Sequence, residues 1–426
     1  MRSETPPVVT VVGIGAGGWQ DLSGTARTRL ADAELILGGP RQLALLPPDA
    51  TSAARRPWPT PLLPALPCLF EAERDRRICV LASGDPMFHG IGATLARVLG
   101  PDRLRVLPHP SSVSLAAARL GWDLARADVV SLVTAPVASL GRALNPGRRI
   151  LVLAAGADTP AAVAGYLTTR GFPKARLTVL EQLGGPDERV LTGSAGDWAM
   201  PSGDPLNVIA VECGDGPALP VVPGLPDGAY ESDGQLTKRE VRAVTLAALA
   251  PAPGELLWDV GAGSGSIGIE WLRSHPACRA VAIESDAGRV ATITANAAAL
   301  GVPGLRVVHG PAPEALDGLP VPDTIFIGGG VTRDGVLAKC LEMLRPGGRL
   351  VANAVTVESE AVLAGAYARL GGELTRLTVQ RGSPVGGFTG WRSFMPVTIW
   401  TVTPMTAPRQ TTVTPMTAPR ETTVTP

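Results

Sequence analysis

The chain has 426 residues, beyond the roughly 250–300 at which a single hydrophobic core stops growing, so two globular domains are expected. Hydrophobic residues make up 45% and charged residues 18%, with 50 glycines and 41 prolines, which excludes a chain disordered throughout and implies many tight turns. The 38 basic residues balance 38 acidic ones, so no field that would capture a polyanion exists and no nucleic-acid partner is expected.

From the N-terminus, residues 8–12 form a β-branched run ending in Gly13-Ile14-Gly15-Ala16-Gly17-Gly18, and residues 78–82 an apolar run stopped by Ser83-Gly84-Asp85-Pro86. Both read as buried strands that deliver a loop. Helical periodicity covers 22–33, 90–99 and 113–120, while 149–153 and 177–180 again read as short strands, an alternation that means α/β. Residues 213–233 are rich in Gly, Pro and Asp and suit a surface linker. The expected division is therefore a first domain over 1–222, with the linker at about 214–232, and a second over 233–400.

The second domain repeats the alternation. Strands are expected at 256–260, 280–283, 306–309, 324–327 and 349–353, with helices at 267–274, 290–300 and near 335–344. Residues 401–426 carry TVTPMTAPRQT followed by TVTPMTAPRET, without apolar periodicity, and are expected to be a disordered tail.

The sharpest constellation is Asp259-Val260-Gly261-Ala262-Gly263-Ser264-Gly265 at the end of an expected strand, with Glu284 closing the next one. Glycines let the backbone turn tightly beside a ligand, and an acid past the second strand can accept both hydroxyls of a ribose. Gly263, Gly265 and Gly268 also satisfy GxGxxG, so a nicotinamide-dependent oxidoreductase stays open on the glycines alone. Asp259 argues against it, because an acid there would repel a pyrophosphate yet can accept a hydrogen bond from an ammonium group.

Other residues narrow the chemistry by what they lack. Cys68, Cys79, Cys213, Cys278 and Cys340 are odd in number and never at CxxC spacing, which fits buried residues in a reducing compartment and neither a disulfide framework nor a metal site. His89, His109, His275 and His309 stand apart, with no nucleophile elbow, zinc motif or P-loop. No uninterrupted span of about 18 apolar residues and no export pattern occurs, so neither a membrane nor secretion is expected, and the cytoplasm is.

In order along the first half, VVGIGAGGWQDLS, LASGDPMFHGIGATLARVLG, HPSSVSLAAARLGW and EQLGGPDERV resemble the tetrapyrrole (corrin/porphyrin) methylase family, in its cobalamin branch. In the second half LTKREVRAVTLAAL, LWDVGAGSGSIGIEWLR, AIESD, HGPAPEAL, IFIGGG, RPGGRLVANAVT and GWRSFMPVTIW resemble the decarboxylating corrin methyltransferases. The resemblance implies an N-terminal two-lobed tetrapyrrole methylase fold followed by a class I Rossmann-like methyltransferase domain. It also implies S-adenosylmethionine as cofactor, one site per domain, a precorrin small-molecule substrate and a tendency to self-associate.

The activity implied is methylation of macrocycle carbon 5 by the first domain, and methylation of carbon 15 with loss of carbon dioxide from the ring C acetate by the second. Carried over by motif, the cofactor contacts would be Gly13, Gly15, Ser83, Gly84, Asp85, Ser111 and Ser112 in the first domain, and Thr237, Gly261, Ala262, Gly263, Ser264, Gly265, Glu284 and Ala312 in the second. Two places depart from the family pattern, Ser131-Leu132-Val133-Thr134-Ala135-Pro136 and Gly156-Ala157-Asp158-Thr159-Pro160, so no contact is carried over there.

Methyl transfer needs no catalytic triad, because a sulfonium carries its own leaving group and the protein has chiefly to align the reactants. A polycarboxylate substrate suits arginine forks, and Lys238, Arg239, Arg242 and Arg392 are candidate substrate contacts, with Trp391 placed to stack on a macrocycle or to fill core. A non-catalytic tetrapyrrole carrier is the third reading, one that would bind macrocycle without turnover.

Overall fold

The computed structural model describes residues 8–404. The chain divides between Leu219 and Pro220 into two compact units.

Unit 1 contains two five-stranded sheets. The first is formed by β1 (Val9–Ile14), β2 (Leu35–Gly38), β3 (Ala54–Pro57), β4 (Ile78–Ser83) and β5 (Leu104–Leu107) in the order β3-β2-β4-β1-β5, all parallel. Strand β1 is buried along its whole length because both faces are covered: Val9 and Val11 pack with Leu66, Phe70 and Leu95, while Val12 and Ile14 pack with Leu22 and Leu30. A parallel strand covered on both faces must be continuously apolar, which is why 8–12 reads as a run without alternation.

The second sheet is formed by β6 (Asp128–Ser131), β7 (Arg149–Leu153), β8 (Arg176–Glu181), β9 (Arg189–Ser194) and β10 (Asn207–Glu212) in the order β6-β7-β10-β8-β9. Here β10 runs antiparallel to both β7 and β8. One face buries Ile150, Val152, Val179 and Ile209, and the other packs Leu151, Leu180 and Val208 against Val113 and Ala116 of the helix Ser112–Leu120.

Unit 2 is one seven-stranded sheet with an appended hairpin. Its strands are β11 (Leu256–Val260), β12 (Arg279–Glu284), β13 (Arg306–His309), β14 (Thr324–Ile327), β15 (Arg349–Ala354), β16 (Glu373–Leu377) and, after the hairpin strands β17 (Gln380–Val385) and β18 (Phe388–Ser393), β19 (Val397–Val402). The order β13-β12-β11-β14-β15-β19-β16 is parallel from β13 to β15, with β19 antiparallel to β15 and to β16. The order reverses between β11 and β14, so a crevice opens at the carboxyl ends of those strands, where open α/β sheets bind ligands.

Three sequence expectations change. The Gly/Pro-rich stretch is not a solvated linker throughout: Leu225 and Tyr230 are buried, and Gly224 N, Leu225 N and Tyr230 Oη all donate to the Glu270 carboxylate of unit 2. The tail begins later than 401, since Thr401 and Val402 pair with Leu350 and Val351 in β19, and residues 405–426 lie outside the described residues. The helix expected at 22–33 is shorter, Gly24–Ala31, because the Ser23 hydroxyl accepts from Ala26 N and starts it there. Among the described residues no helix is long and apolar enough to cross a membrane.

Candidate functional site

In unit 1, β1 and β4 are neighbours that end at the same edge, with Gly13 paired to Ala82 and Ile14 to Ser83. A side chain on Gly13 would put its Cβ 2.1 Å from Gly84 O and 2.7 Å from His109 N, so glycine alone lets the two loops close on each other. Beside them the Ser111 hydroxyl accepts from Ser114 N and starts the helix Ser112–Leu120. These loops and the second sheet bound a cleft of about 640 Å³ open to solvent.

Six of the seven residues expected to contact a cofactor in this unit line that cleft: Gly15, Ser83, Gly84, Asp85, Ser111 and Ser112. Gly13 lies behind it as a packing residue. Its apolar wall comes from Ile14, Leu115, Leu153, Leu180, Leu183 and Val208. The sequence reading missed Arg41 and Asn207, which also line it, because neither stands in a glycine-rich motif. The departing segment 156–160 is used locally, where Ala155 N and Gly156 N donate to Thr159 Oγ1 and Asp158 accepts from Ser202 Oγ.

In unit 2 the loop after β11 takes left-handed backbone at Gly261 (φ +69), Gly263 (φ +60) and Gly265 (φ +77). At Gly261 a Cβ would also meet the Gly329 backbone at 2.8 Å, which ties the loop after β11 to the loop after β14 across the reversal point. The acids hold this turn. Glu284 Oε2 accepts from Gly263 N (2.8 Å) and its Oε1 from Ser285 N (2.9 Å) and Asp286 N (3.0 Å). Asp259 Oδ2 accepts from Gly268 N at 2.8 Å.

Asp259 is 1% exposed. Burial, helped by the nearby Glu284 charge and opposed by the Gly268 hydrogen bond, pushes its carboxyl up to about 7. Ser264 is buried, with its carbonyl accepting from Asn296 Nδ2, and Ala312 follows β13 beside the Glu284 end of β12, where Gly310 N donates to Glu284 O. Gly263 and Ser264 line a concavity of about 540 Å³ with Ser232, Asp233, Asp286 and Arg289, whereas Thr237, Asp259, Gly261, Ala262, Gly265, Glu284 and Ala312 do not.

Two buried acceptors test whether these residues fit a cofactor that carries N–H donors. Asn207 Oδ1, on a residue lining the unit 1 cleft, and Asp259 Oδ1, behind the unit 2 loop, have no hydrogen-bond partner. A buried acceptor left unpaired is costly, and an ammonium or adenine amino group would satisfy either one. The residues fit the cofactor that the resemblance implies.

The substrate candidates separate. Arg242 is wholly buried, with Nε donating to Glu270 and Nη groups to the carbonyls of Thr237 and Leu225, so it holds the chain together and cannot touch a substrate. The helical spacing that put it beside Arg239 could not show which face turns inward. Arg239 is exposed and its backbone N–H donates to Asp227, while Lys238 precedes the helix Arg239–Leu249. Trp391 is 77% exposed on β18, which rules out a core-filling role, and Arg392 beside it is exposed too.

The family model described as Tetrapyrrole (Corrin/Porphyrin) Methylases matches residues 8–199, and the one described as Precorrin methyltransferase domain matches residues 228–404. A curated relative from Mycobacterium tuberculosis, precorrin-6Y C(5,15)-methyltransferase [decarboxylating], is 51% identical over 401 residues, covering 93% of this chain and 100% of the relative. The chain belongs to the precorrin-6Y C(5,15)-methyltransferase family. A second member of that family, from Sinorhizobium sp, is 49% identical over 93% of this chain and 96% of its own. A crystal structure of the C-terminal domain of precorrin-6Y C5,15-methyltransferase from Rhodobacter capsulatus is 46% identical and covers 43% of this chain and 98% of that one, with a TM-score of 0.41.

Proposed function

We propose that the chain acts in cobalamin biosynthesis, transferring methyl groups from S-adenosylmethionine to carbons 5 and 15 of a precorrin-6 intermediate and removing carbon dioxide from its ring C acetate. Unit 1 is assigned carbon 5, and unit 2 carbon 15 with the decarboxylation. The observation that carries this reading is the near full-length match to relatives named for both methylations, in a chain that builds a glycine-lined loop in each unit.

When bound, the cofactor supplies an electrophilic methyl on a sulfonium. In unit 2, Glu284 fixes the Gly263 turn and is assigned the ribose hydroxyls by family resemblance, and Asp259, buried behind the loop, has an unpartnered Oδ1 of the kind that accepts from an ammonium. In unit 1, Ser83, Gly84, Asp85, Ser111 and Ser112 surround the cleft, Asn207 offers a buried acceptor, and Leu115, Leu153, Leu180 and Leu183 give it an apolar wall. Loss of carbon dioxide leaves an electron pair that a conjugated imine of the macrocycle takes up, so orientation is the main task of the protein. All five cysteines are free and four are buried, which suits a reducing compartment such as the cytoplasm. Self-association is part of the same proposal, by family resemblance.

The test is to incubate the purified protein with reduced precorrin-6 and S-adenosylmethionine and to follow product mass. Two added methyls with loss of carbon dioxide is the expected result. One methyl with that loss would remove the carbon-5 assignment from unit 1. Affinity for NAD with none for S-adenosylmethionine, or macrocycle binding without turnover, would overturn the reading.

A further inference from the structure

Arg41 stands outside every motif, yet the fold delivers it to the unit 1 cleft. It follows Gly39-Pro40 after β2, the strand beside β4, and its side chain reaches the residue that closes β4. Its Nη2 donates to Ser83 Oγ at 2.9 Å, and Gln42 Nε2 donates to the same oxygen at 2.6 Å. Among the described residues no carboxylate lies within ion-pair distance of this guanidinium. The neighbouring acids are engaged elsewhere: Asp204 accepts from Gln182 Nε2 and Leu206 N, and Asp85 accepts from Met87 N.

Other arginines of this unit do have partners, Arg119 with Glu188 and Arg189 with Glu181. Burial in the cleft lowers the pKa of Arg41 below its ordinary value, against a weaker raising pull from Asp204. A partly desolvated cation without a counter-ion is unfavourable, and a ligand that brings an anion removes the cost. Only one of the five N–H donors of the fork is used on Ser83, and because Ser83 Oγ accepts twice, its own proton is free to donate outward.

We propose that Arg41 and Ser83 together recognise a carboxylate arm of the macrocycle in the unit 1 cleft, setting which edge of the substrate faces the transferred methyl. This rests on the assignment of carbon-5 methylation to unit 1. The amino-acid end of S-adenosylmethionine carries a carboxylate as well, and the two sources separate in the measurement.

The experiment compares the full chain with Arg41→Met and Arg41→Lys, using reduced precorrin-6 and S-adenosylmethionine. Product masses resolve the two methylations, and calorimetry gives cofactor affinity. The expected result for Arg41→Met is a KM for macrocycle in carbon-5 methylation raised about 10-fold or more. Its kcat changes less, cofactor Kd and thermal unfolding stay as in the parent, and carbon-15 methylation with loss of carbon dioxide is untouched. Arg41→Lys keeps the charge without the fork and recovers part of the loss. A raised cofactor Kd would mean that Arg41 serves the cofactor loop through Ser83, and an unchanged KM would mean that it serves neither; both outcomes overturn the inference. A parent protein that adds no carbon-5 methyl would sink the functional reading instead.

Discussion

In unit 2 the glycine loop is fastened by carboxylates, with Glu284 on Gly263 N and Asp259 on Gly268 N, and it leaves the strand in three left-handed steps. In unit 1 the loop after β1 is held by close backbone packing, with Gly13 pressed on Gly84 O and His109 N. A cation, Arg41, reaches these loops from the helix after β2 and donates to Ser83 Oγ. One chain thus builds two sites by different means: carboxylates bind the turn itself in unit 2, whereas in unit 1 Asp85 accepts from Met87 N within its own loop and the turn after β1 rests on backbone packing.

The largest expected effect separates the units by stability. Arg242→Ala strips the partner from Glu270 in the interior of unit 2 and should cost about 3–5 kcal/mol of unfolding free energy. Denaturant unfolding followed by near-ultraviolet signals should show the loss, with carbon-5 methylation by folded protein at low denaturant intact. An equal loss of both reactions would break the independence of the two sites.

Next come the glycines themselves. Gly13→Ala should cut carbon-5 methylation by about 100-fold or more and leave the carbon-15 product, because the new Cβ forces β1 and β4 loops apart. Gly261→Ala should do the reverse, since its backbone is left-handed and Gly329 blocks the space. Product masses decide each case, and a single substitution that silences both reactions would contradict the comparison.

A smaller effect sharpens the electrostatic difference. With its carboxyl raised to about 7 by burial, Asp259 contributes stability that is complete below the ordinary aspartate range and is lost as pH rises through about 7. A cofactor ammonium favours the ionised form, so affinity at unit 2 should rise by about 10-fold as pH increases across that region. Calorimetric titration of the Gly13→Ala protein reads this site, and Asp259→Asn should flatten the profile. A flat profile in the parent would remove Asp259 from ammonium recognition.

The smallest effect falls on the exposed hairpin. Arg392→Ala should change stability by no more than about 0.5 kcal/mol, because the side chain is exposed, and should raise the macrocycle KM in the unit 2 reaction a few-fold. Unchanged kinetics would take β17 and β18 out of the substrate site.

Buried parallel strands such as β1, β4, β11 and β14 were legible because strands covered on both faces must be continuously apolar. Strand β3, the hairpin β17–β18 and strand β16 were not, since exposed or mixed strands lack that pattern, and β2, though buried throughout, is only four residues long and too short to stand out as a run. The unit 2 loop was legible through Asp259, the glycines and Glu284, whose spacing is imposed by one strand-turn-helix-strand unit.

By itself the sequence determined which residues could turn beside a ligand, because left-handed backbone and close approach demand glycine wherever they occur. It also determined the family, through motifs spread over both halves. Only the tertiary structure decided that Arg242 faces Glu270 rather than solvent, that residues 224–230 pack with unit 2, and that Arg41 and Asn207 reach the unit 1 cleft. Those outcomes depend on which elements become neighbours, and contacts between residues tens of positions apart leave no local pattern to read.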